Sequence, residues 1–314
     1  MDFSMRANGK LLLTGEYFVT EGAVALALPT KLGQRISVKH VQSDTPTLLW
    51  QSYDENDELW FEAKFHKKDL ELLDGPETAE GMAIADRLQE ILGVATELNE
   101  DFLLEPNATE VSTYLEFPRH WGLGTSSTLI TMVAKWAKVD PFKLLEETFG
   151  GSGYDIAAAT ADAPILFRKF NGRNEWDVSR FDPSFKEQLF FVHLNKKQDS
   201  REALVHYKVT APEDRARPLP RISQITHNVA AYVDSLEEFE ALMEEHEELV
   251  QSIVQQPRAK ENYFSDYWGE IKSLGAWGGD FVLATSNRSV EDTKAYFEER
   301  GYKTVLSYDE LIKH

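Results

Sequence analysis

Hydrophobic and polar residues alternate with a period of two in several parts of the chain. The clearest case is the stretch 59–65, where the apolar positions are Leu59, Phe61, Ala63 and Phe65. This alternation is typical of a β-strand that buries one face. Similar patterns, or short apolar runs beside turn residues, predict further strands at 10–13, 36–38, 111–115, 189–194 and 303–306.

A period of about 3.6 residues predicts helices at 79–92, 125–138, 222–234 and 235–254. The last of these begins with Ser235 and Glu238, which form a capping-box pattern. Its many glutamates predict a solvated acidic face rather than a metal or partner site. Ser289 and Asp292 can cap one more helix, which Gly301 would end.

The predicted strands and helices alternate without a long disordered linker or an internal repeat. A length of 314 residues favours two domains over one. A new strand at 189–194 follows a polar connection that contains proline. We therefore predict an N-terminal domain at 1–184 and a C-terminal domain at 185–314.

Composition and charge exclude several classes of partner. With 42% hydrophobic residues the chain can bury a sizeable core, as a globular enzyme does. It has no cysteine, so disulfides and thiolate metal sites are impossible, and we expect a cytoplasmic protein. No signal-peptide pattern or bilayer-length apolar run is present, so we expect no membrane partner. A net charge of −20 argues against nucleic acid.

A glycine-containing loop at 122–127 leads directly into the predicted helix at 125–138. Backbone amides at a helix start, helped by the helix dipole, bind anionic oxygens. Gly122 and Gly124 allow close approach, while the hydroxyls at 125–127 can cap the helix, contact phosphate or ligate magnesium. Capping alone would also explain these hydroxyls. The loop lacks the Walker lysine and the third glycine of the dinucleotide motif.

Asp155 is the second candidate for chemistry. It lies just beyond a short Gly/Ser turn at 150–153, and small residues follow it. A single carboxylate in such a position is a candidate catalytic base. Together with the glycine loop it indicates phosphoryl transfer.

Two further lysine-containing segments could bind an anion. Lys10 lies on an apolar strand before a Gly15-Glu16 turn, and its partner is either Glu16 or a catalytic carboxylate with a substrate phosphate. Glycines at 275–279 follow Lys272 and form either a tight turn or an anion site. The basic segment 196–201 is either a surface turn or a holder of a substrate carboxylate or phosphate.

These segments, in this order, resemble the three signature motifs of the GHMP kinases, the superfamily of galactokinase, homoserine kinase, mevalonate kinase and phosphomevalonate kinase. The first motif, Gly-Lys-x-x-x-x-Gly-Glu, is matched by Gly9, Lys10, Gly15 and Glu16. The second, Gly-Leu-Gly-Ser-Ser, is matched at 122–126 with Thr125 in place of the first serine, and the third, Gly-Ala-Gly-Gly-Gly, approximately at 275–279. The resemblance spans nearly the whole chain and is closest to phosphomevalonate kinases, with mevalonate kinases second.

The resemblance implies an α+β, two-domain GHMP kinase fold. Its N-terminal domain would be ribosomal-protein-S5-domain-2-like and would bind ATP, and its C-terminal domain would be ferredoxin-like. The cofactors would be ATP and Mg²⁺. The acceptor would be phosphomevalonate, or mevalonate as the alternative, and the protein would be a monomer or a homodimer.

The resemblance also implies residue roles. Asp155 would accept a proton from the acceptor, and Lys10 would keep Asp155 ionised and stabilise the transferred charge. The residues that bind ATP would be Gly122, Leu123, Gly124, Thr125, Ser126 and Ser127, with Ser126 also ligating magnesium. The acceptor would contact Glu16, Ser152, Gly153, Gly278 and Gly279.

Two departures from the motifs leave a second hypothesis open. Arg119, His120 and Trp121 are bulkier than the residues that usually precede the second motif, and Trp277 takes a place normally held by glycine. The chain could therefore be a GHMP-like protein that binds a nucleotide or metabolite without catalysing transfer. Because both Lys10 and Asp155 are retained, the sequence favours an active kinase.

Overall fold

Two long strands, β1 (Phe3–Thr14) and β2 (Ala25–Val41), pair with each other in the N-terminal part of the chain. The computed structural model describes residues 2–195, 205, 207–275, 277 and 280–314. The described residues form two compact units, and β1 and β2 contribute to both. Unit 1 comprises the stretches 1–9, 32–119 and 124–160, and unit 2 comprises 10–31, 120–123 and 161–314.

The sheet of unit 1 is mostly antiparallel. Besides β2 it contains β3 (Thr47–Tyr53), β4 (Leu59–His66), β5 (Leu72–Asp74) and β6 (Ala108–Leu115). The strand order is β5-β4-β3-β6-β2. Strands β3 and β6 are parallel, whereas β4 is antiparallel to both β3 and β5, and β6 is antiparallel to β2.

Helices cover the buried face of this sheet. They are α1 (Ala79–Leu98), α2 (Thr125–Ala137), α3 (Pro141–Thr148) and α4 (Tyr154–Thr160). Trp50 and Phe65 of the sheet share one hydrophobic cluster with Leu92 of α1 and Ile130 of α2. Each such side chain contributes about 1.5–3 kcal/mol when it is fully buried, so this cluster dominates the stability of unit 1.

Unit 2 contains strand pairs from two sheets. The start of β2 pairs with β7 (Ile165–Phe170), and β7 pairs with β8 (Arg173–Val178). The other sheet has the order β10-β11-β9-β12 and is antiparallel throughout. Its strands are β9 (Leu189–His193), β10 (Ile271–Leu274), β11 (Phe281–Thr285) and β12 (Val305–Ser307).

The described helices of unit 2 are α5 (Pro212–Ala216), α6 (Leu219–Ala231), α7 (Leu236–Val254), α8 (Ala259–Tyr263), α9 (Val290–Glu299) and α10 (Tyr308–Leu311). The three longest of these helices and the strands of the four-stranded sheet follow one another along the chain in the order β9-α6-α7-β10-β11-α9-β12. With α6 and α7 together in the place of the first helix, this is the β-α-β-β-α-β arrangement of ferredoxin-like domains, so the predicted C-terminal fold is confirmed. Within the described residues, no helix has the length and apolar character needed to cross a membrane.

The predicted α+β class is confirmed, and most predicted elements are present. The helix predictions correspond to α1, α2, α6, α7 and α9, and Ser289 caps α9 as expected, since its side chain accepts the Asp292 amide. In β4, Phe61, Ala63 and Phe65 are buried as the alternation predicts, although Leu59 at the strand end is 49% exposed. Each unit gathers several stretches of chain, so the boundary at 184/185 stays a prediction.

The interpretation of helix α7 as amphipathic with a solvated acidic face holds for most of its glutamates and fails at Glu247. The helix and its Ser235 cap form as predicted, but its acidic residues are not all solvated. Glu247 is 1% exposed and the adjacent His246 is 0% exposed. His246 lies 3.3 Å from Glu16, in the turn after β1, and Glu247 lies 3.5 Å from Lys272 on β10.

Candidate functional site

The glycine loop reaches unit 1 at the start of helix α2. Gly124 is the N-cap residue and has a φ of 95°, a left-handed conformation that favours glycine. Because glycine has no side chain, Gly124 cannot cap the amides of the first turn. Uncapped amides at the positive end of a 13-residue helix can bind an anion.

The hydroxyls of this segment divide into two groups. Ser127 is buried, and its Oγ donates to the Gly124 carbonyl at 2.9 Å. Thr128 is also buried, and its Oγ1 donates to Gln34 Oε1 at 2.6 Å. Ser126, in contrast, is exposed at the helix start. A ligand at the helix start would therefore meet Ser126, whereas Ser127 and Thr128 stabilise the helix itself.

Asp155 lies in the first turn of α4, also in unit 1. It is half-buried, and its Oδ1 accepts the Ile156 amide at 3.1 Å. Ser152, which was predicted to contact the phosphoryl acceptor, is buried and forms part of the turn before Asp155. The glycines of this turn with positive φ are Gly150 at 67°, Gly151 at 108° and Gly153 at 92°.

Helices α2 and α4 pack against each other inside unit 1. Ile130 and Val133 of α2 belong to the same buried cluster as Ile156 and Ala159 of α4. The alanines at 157–159 are all buried, so small side chains form much of the α4 surface in the core. The structure thus brings the helix that the glycine loop begins beside the helix that carries Asp155.

Lys10 is anchored to the other half of the glycine loop, within unit 2. Its amide donates to the Leu123 carbonyl at 2.8 Å, and its Nζ donates to the Gly122 carbonyl at 3.0 Å. The side chain is half-buried. Lys10 and Asp155 belong to different units, so their predicted interaction stays a prediction.

Gly122 is required by a contact that the sequence did not reveal. Its φ is 66°, and a Cβ at this position would lie 1.8 Å from Asp280 Oδ2. Asp280 precedes β11 and stands two residues beyond the predicted acceptor residue Gly278. Asp280 lies directly after the third motif at 275–279 and was not among the predicted site residues. A cation and a carboxylate, Lys10 and Asp280, therefore both contact Gly122.

The bulky residues before the loop pack on protein. In unit 1 the Arg119 guanidinium lies 3.7 Å from the Trp60 ring centre. In unit 2 the Trp121 ring lies 5.6 Å from Phe281 and 5.9 Å from His193. Burial lowers the pKa of His193, so this histidine is neutral at physiological pH.

Glu16 is buried at the end of β1 in unit 2, with 3% of its surface exposed. Its Oε1 accepts from Lys272 Nζ at 2.5 Å. Burial raises the pKa of Glu16 to about 7, and Lys272 partly offsets this effect. The partner of Glu16 is thus Lys272, and its predicted contact with the acceptor stays a prediction.

Trp277 fills space in the core of unit 2. It is 3% exposed and shares a hydrophobic cluster with Phe18 and Ile222. Its amide donates to the Tyr17 hydroxyl at 2.7 Å, and its indole Nε1 donates to the Pro257 carbonyl at 3.1 Å. The predicted acceptor residues Gly278 and Gly279, and the basic segment 196–201, lie outside the described residues.

The described residues contain no group of three or more histidine or acidic side chains arranged to hold a metal ion. Glu146 and Glu147, which lie near Asp155 in sequence, are exposed on α3. The predicted magnesium ligand Ser126 is exposed at the start of α2, as a residue that shares a metal with a bound phosphate must be. The exposed Ser126 hydroxyl therefore fits a magnesium ion that is shared with a bound phosphate.

This fold resembles several solved small-molecule kinases over nearly its whole length. Mevalonate kinase of Methanococcus jannaschii has a TM-score of 0.71 at 15% identity, covering 100% of this chain and 98% of that chain. Phosphomevalonate kinase of Streptococcus pneumoniae, in complex with phosphomevalonate and AMPPNP, has a TM-score of 0.69 at 15% identity, covering 97% and 99%. Lactococcus lactis galactokinase, complexed with galactose, has a TM-score of 0.66 at 13% identity, covering 98% and 92%.

These three proteins are members of the GHMP kinase superfamily, so the resemblance predicted from the motifs is confirmed in the fold. No protein-family model and no curated protein sequence matches the chain. At identities of 13–15% the likeness establishes a GHMP kinase fold and leaves the reaction to the residues of the site.

Proposed function

We propose that this protein is an ATP-dependent kinase that phosphorylates a small acceptor of the mevalonate pathway. The observation that carries the proposal is the pairing of α2 and α4 in unit 1. One helix begins with an uncapped glycine loop, and the other carries Asp155 in its first turn. An anion-binding helix start and a group that takes the acceptor's proton are both suited to phosphoryl transfer.

The start of α2 would hold the phosphates of ATP. Its first-turn amides would donate to phosphate oxygens, and Thr125 and Ser126 would add hydroxyl groups. Ser126 would ligate Mg²⁺, which, when bound, neutralises charge on the phosphates. Gly122 and Leu123 would support this loop through their hydrogen bonds with Lys10.

Asp155 would accept the proton of the acceptor's hydroxyl or phosphate group, and its half-buried place at a turn leaves it reachable. Lys10 would offset negative charge during transfer. Ser152 and Gly153 are buried, so their contribution to acceptor binding would come from the shape of the turn that orients Asp155. Glu16 would act similarly, from its buried place at the end of β1.

A cavity in unit 1 is a candidate site for the nucleotide base. Its volume is about 330 Å³, within the range of small-ligand pockets, and its walls include Trp60, Leu49 and Pro76. An aromatic ring beside an apolar wall suits a flat heterocycle. Arg119, whose guanidinium lies 3.7 Å from the Trp60 ring centre, is five residues before Gly124 in the sequence.

Phosphomevalonate is the acceptor that we favour, and mevalonate is the alternative. The support is the match of 15–22, 151–157 and 278–280 to phosphomevalonate kinases, together with the likeness in fold to an enzyme solved with phosphomevalonate. A cytoplasmic location, and a monomeric or homodimeric state, remain part of the proposal.

The test is ADP formation from Mg-ATP with phosphomevalonate, mevalonate, homoserine, galactose or no acceptor. We expect ADP formation to exceed the reaction without acceptor most strongly when phosphomevalonate is the acceptor. Asp155→Asn keeps the side-chain size but removes the base, so transfer should fall by about 10²–10⁴-fold while ATP binding is retained. Asp162→Asn is the matched control, since Asp162 is exposed and pairs with Lys313. An unaltered rate in Asp155→Asn would remove Asp155 from the mechanism.

The second candidate function is binding of a nucleotide or metabolite without transfer. It is favoured by Trp277, which fills a place where the motif has glycine, and by Asp280, whose carboxylate lies against Gly122. The same panel separates the two functions. ATP binding with no acceptor above the blank would support the non-catalytic function.

A further inference from the structure

Unit 2 contains a buried charged cluster, of which the proposed reaction uses only Glu16, and that residue only indirectly. It consists of Glu16 at the end of β1, His246 and Glu247 on α7, and Lys272 on β10. Their exposed fractions are 3% for Glu16, 0% for His246, 1% for Glu247 and 1% for Lys272. Charged groups are costly to bury unless they are paired, so the pairing within this cluster determines its charge state.

One ammonium group serves two carboxylates. Lys272 Nζ donates to Glu16 Oε1 at 2.5 Å and to the Ser273 carbonyl at 2.9 Å. The same Nζ lies 3.5 Å from Glu247 Oε1. Ser273 Oγ donates to the other oxygen of Glu247 at 3.2 Å. With both glutamates ionised, these groups would carry an uncompensated negative charge.

His246 does not supply the missing positive charge. The Gly15 amide donates to His246 Nε2 at 3.0 Å, so Nε2 must hold a lone pair. Burial, together with the nearby Lys272, lowers the pKa of His246 well below its ordinary value, so the ring is neutral. Its approach to Glu16 Oε2 at 3.3 Å is therefore not an ion pair.

The carboxylates are left with oxygens that could carry a proton. Among the described residues, Glu16 Oε2 and Glu247 Oε1 are buried and have no hydrogen-bond partner. Burial raises the pKa of both glutamates, and that of Glu16 reaches about 7. One proton on either of these oxygens would bring the net charge of Lys272, Glu16 and Glu247 to zero, and the protonated carboxyl group would gain a hydrogen-bond donor.

The other titratable groups around the cluster do not alter its net charge. Tyr17 adjoins Glu16, and burial raises its pKa to about 12, so the phenol stays neutral. Glu270 raises the pKa of Glu247 slightly through its charge, but Glu270 is itself paired with Lys260 Nζ at 2.5 Å.

We propose that His246 and Lys272 are positioning residues for the Gly15–Glu16 turn, and that Glu16 and Glu247 share one proton while this turn is in place. His246 holds the Gly15 amide from α7, and Lys272 holds the Glu16 carboxylate from β10. Gly15 has a φ of 91°, and a Cβ there would lie 2.7 Å from Ala25 Cβ, so the turn is closely packed. The turn follows the strand that carries Lys10. Its importance for transfer rests on the proposed function, whereas the shared proton does not.

The shared proton predicts a pH dependence of the unfolding free energy. A carboxyl group with a raised pKa binds a proton in the folded state that the unfolded state releases, so stability falls as pH rises from about 5 to about 8. Glu247→Gln removes one carboxylate, after which Lys272 neutralises Glu16 without a proton. We therefore expect that the decrease in unfolding free energy caused by the shared proton is absent in Glu247→Gln. Urea unfolding across that pH range would measure it.

Glu245→Gln is the matched control. Glu245 lies on the same helix but pairs with Arg221 at 2.6 Å in a partly exposed ion pair, so this variant should keep the wild-type fall. The quantity to compare is the unfolding free energy as a function of pH in the wild type and in Glu247→Gln. Other groups titrate in both proteins, so only the difference between the two curves reports on the shared proton. Parallel profiles would overturn the shared proton. Lys272→Met, if it folds, should show a steeper fall, because both glutamates would then need a proton.

The positioning role has its own measurement. His246→Phe keeps an aromatic ring but removes the acceptor of the Gly15 amide. We expect hydrogen exchange of that amide, followed by NMR in ¹⁵N-glycine-labelled protein, to accelerate about tenfold, as the loss of one hydrogen bond predicts. His227→Phe, an exposed change on α6, should leave it unaltered. Unaltered Gly15 exchange in folded His246→Phe would overturn the positioning role, whether or not the protein is a kinase.

Discussion

Gly122 shows how a single residue can be required for a reason that its motif does not disclose. The motif predicts glycine so that a phosphate can approach the backbone. In the structure, the Asp280 carboxylate occupies the space that a side chain at 122 would need. Asp280 lies 158 positions further along the chain, so only the folded structure shows this contact.

Gly122→Ala should therefore destabilise the protein in two ways. The positive φ of 66° is unfavourable for alanine by about 1–2 kcal/mol, and the clash with Asp280 adds about 1–3 kcal/mol. Gly150→Ala is a matched control, because Gly150 has a φ of 67° but no atom near its Cβ position. Urea unfolding should show a clearly larger loss for Gly122→Ala. Adding Asp280→Ala should recover the difference, and equal losses at both glycines would show that the contact is unimportant.

Among the candidate site residues, those within one local segment were the most predictable. The glycine loop and Asp155 could be recognised from short motifs, because a turn and a helix start are specified by nearby residues. The partner of Glu16 could not be predicted in this way. Lys272 lies 256 positions from Glu16 along the chain. The two residues meet only when their separate segments of the chain have folded together in unit 2.

At the scale of elements, helix α7 illustrates both the value and the limit of periodicity. The spacing of its apolar residues predicted the helix correctly. Glutamates were assigned to the solvated face because they are charged, yet His246 and Glu247 lie three and four residues after the buried Met243. That spacing places them on the buried face. The period was therefore informative, and the interpretation failed only at Glu247, where residue charge was given more weight than position.

The start of α2 predicts different effects for two adjacent serines. Ser126 is exposed, so Ser126→Ala should weaken nucleotide binding in the presence of Mg²⁺ and leave the unfolding free energy unchanged. Ser127 is buried and bonds to the Gly124 carbonyl, so Ser127→Ala should lower the unfolding free energy by about 1 kcal/mol. Titration with ATP, with and without Mg²⁺, and urea unfolding would measure both. Equal effects of the two changes on Mg²⁺-dependent binding would contradict the division of roles.

At the scale of the whole molecule, the fold class was predictable because three motifs and the element order extend over most of the chain. The grouping of chain segments was not. Strands β1 and β2 contribute to both units, so each unit gathers several separate stretches of the sequence. Such interleaving depends on long-range strand pairing, which local patterns of hydrophobic and polar residues do not record.

The charge of the whole molecule leads to a final prediction. With 53 acidic and 33 basic residues, the net charge is −20, and the folded state is weakened by repulsion among its own charges. Salt screens this repulsion, so the melting temperature should rise by a few degrees as NaCl increases from about 0.01 M to about 0.2 M. Many ion pairs are partly exposed, and screening them acts in the opposite direction, but each is worth only about 0–1 kcal/mol.

The sign of the change in melting temperature therefore tells which effect is larger. The control is the same NaCl series near pH 4.8, the isoelectric point of the sequence, where the net repulsion vanishes and the rise should disappear. NaCl is preferable to sulfate or phosphate, because those anions stabilise folded proteins by exclusion and would also compete for the start of α2. A melting temperature that falls with NaCl at neutral pH would show that the ion pairs outweigh the net repulsion.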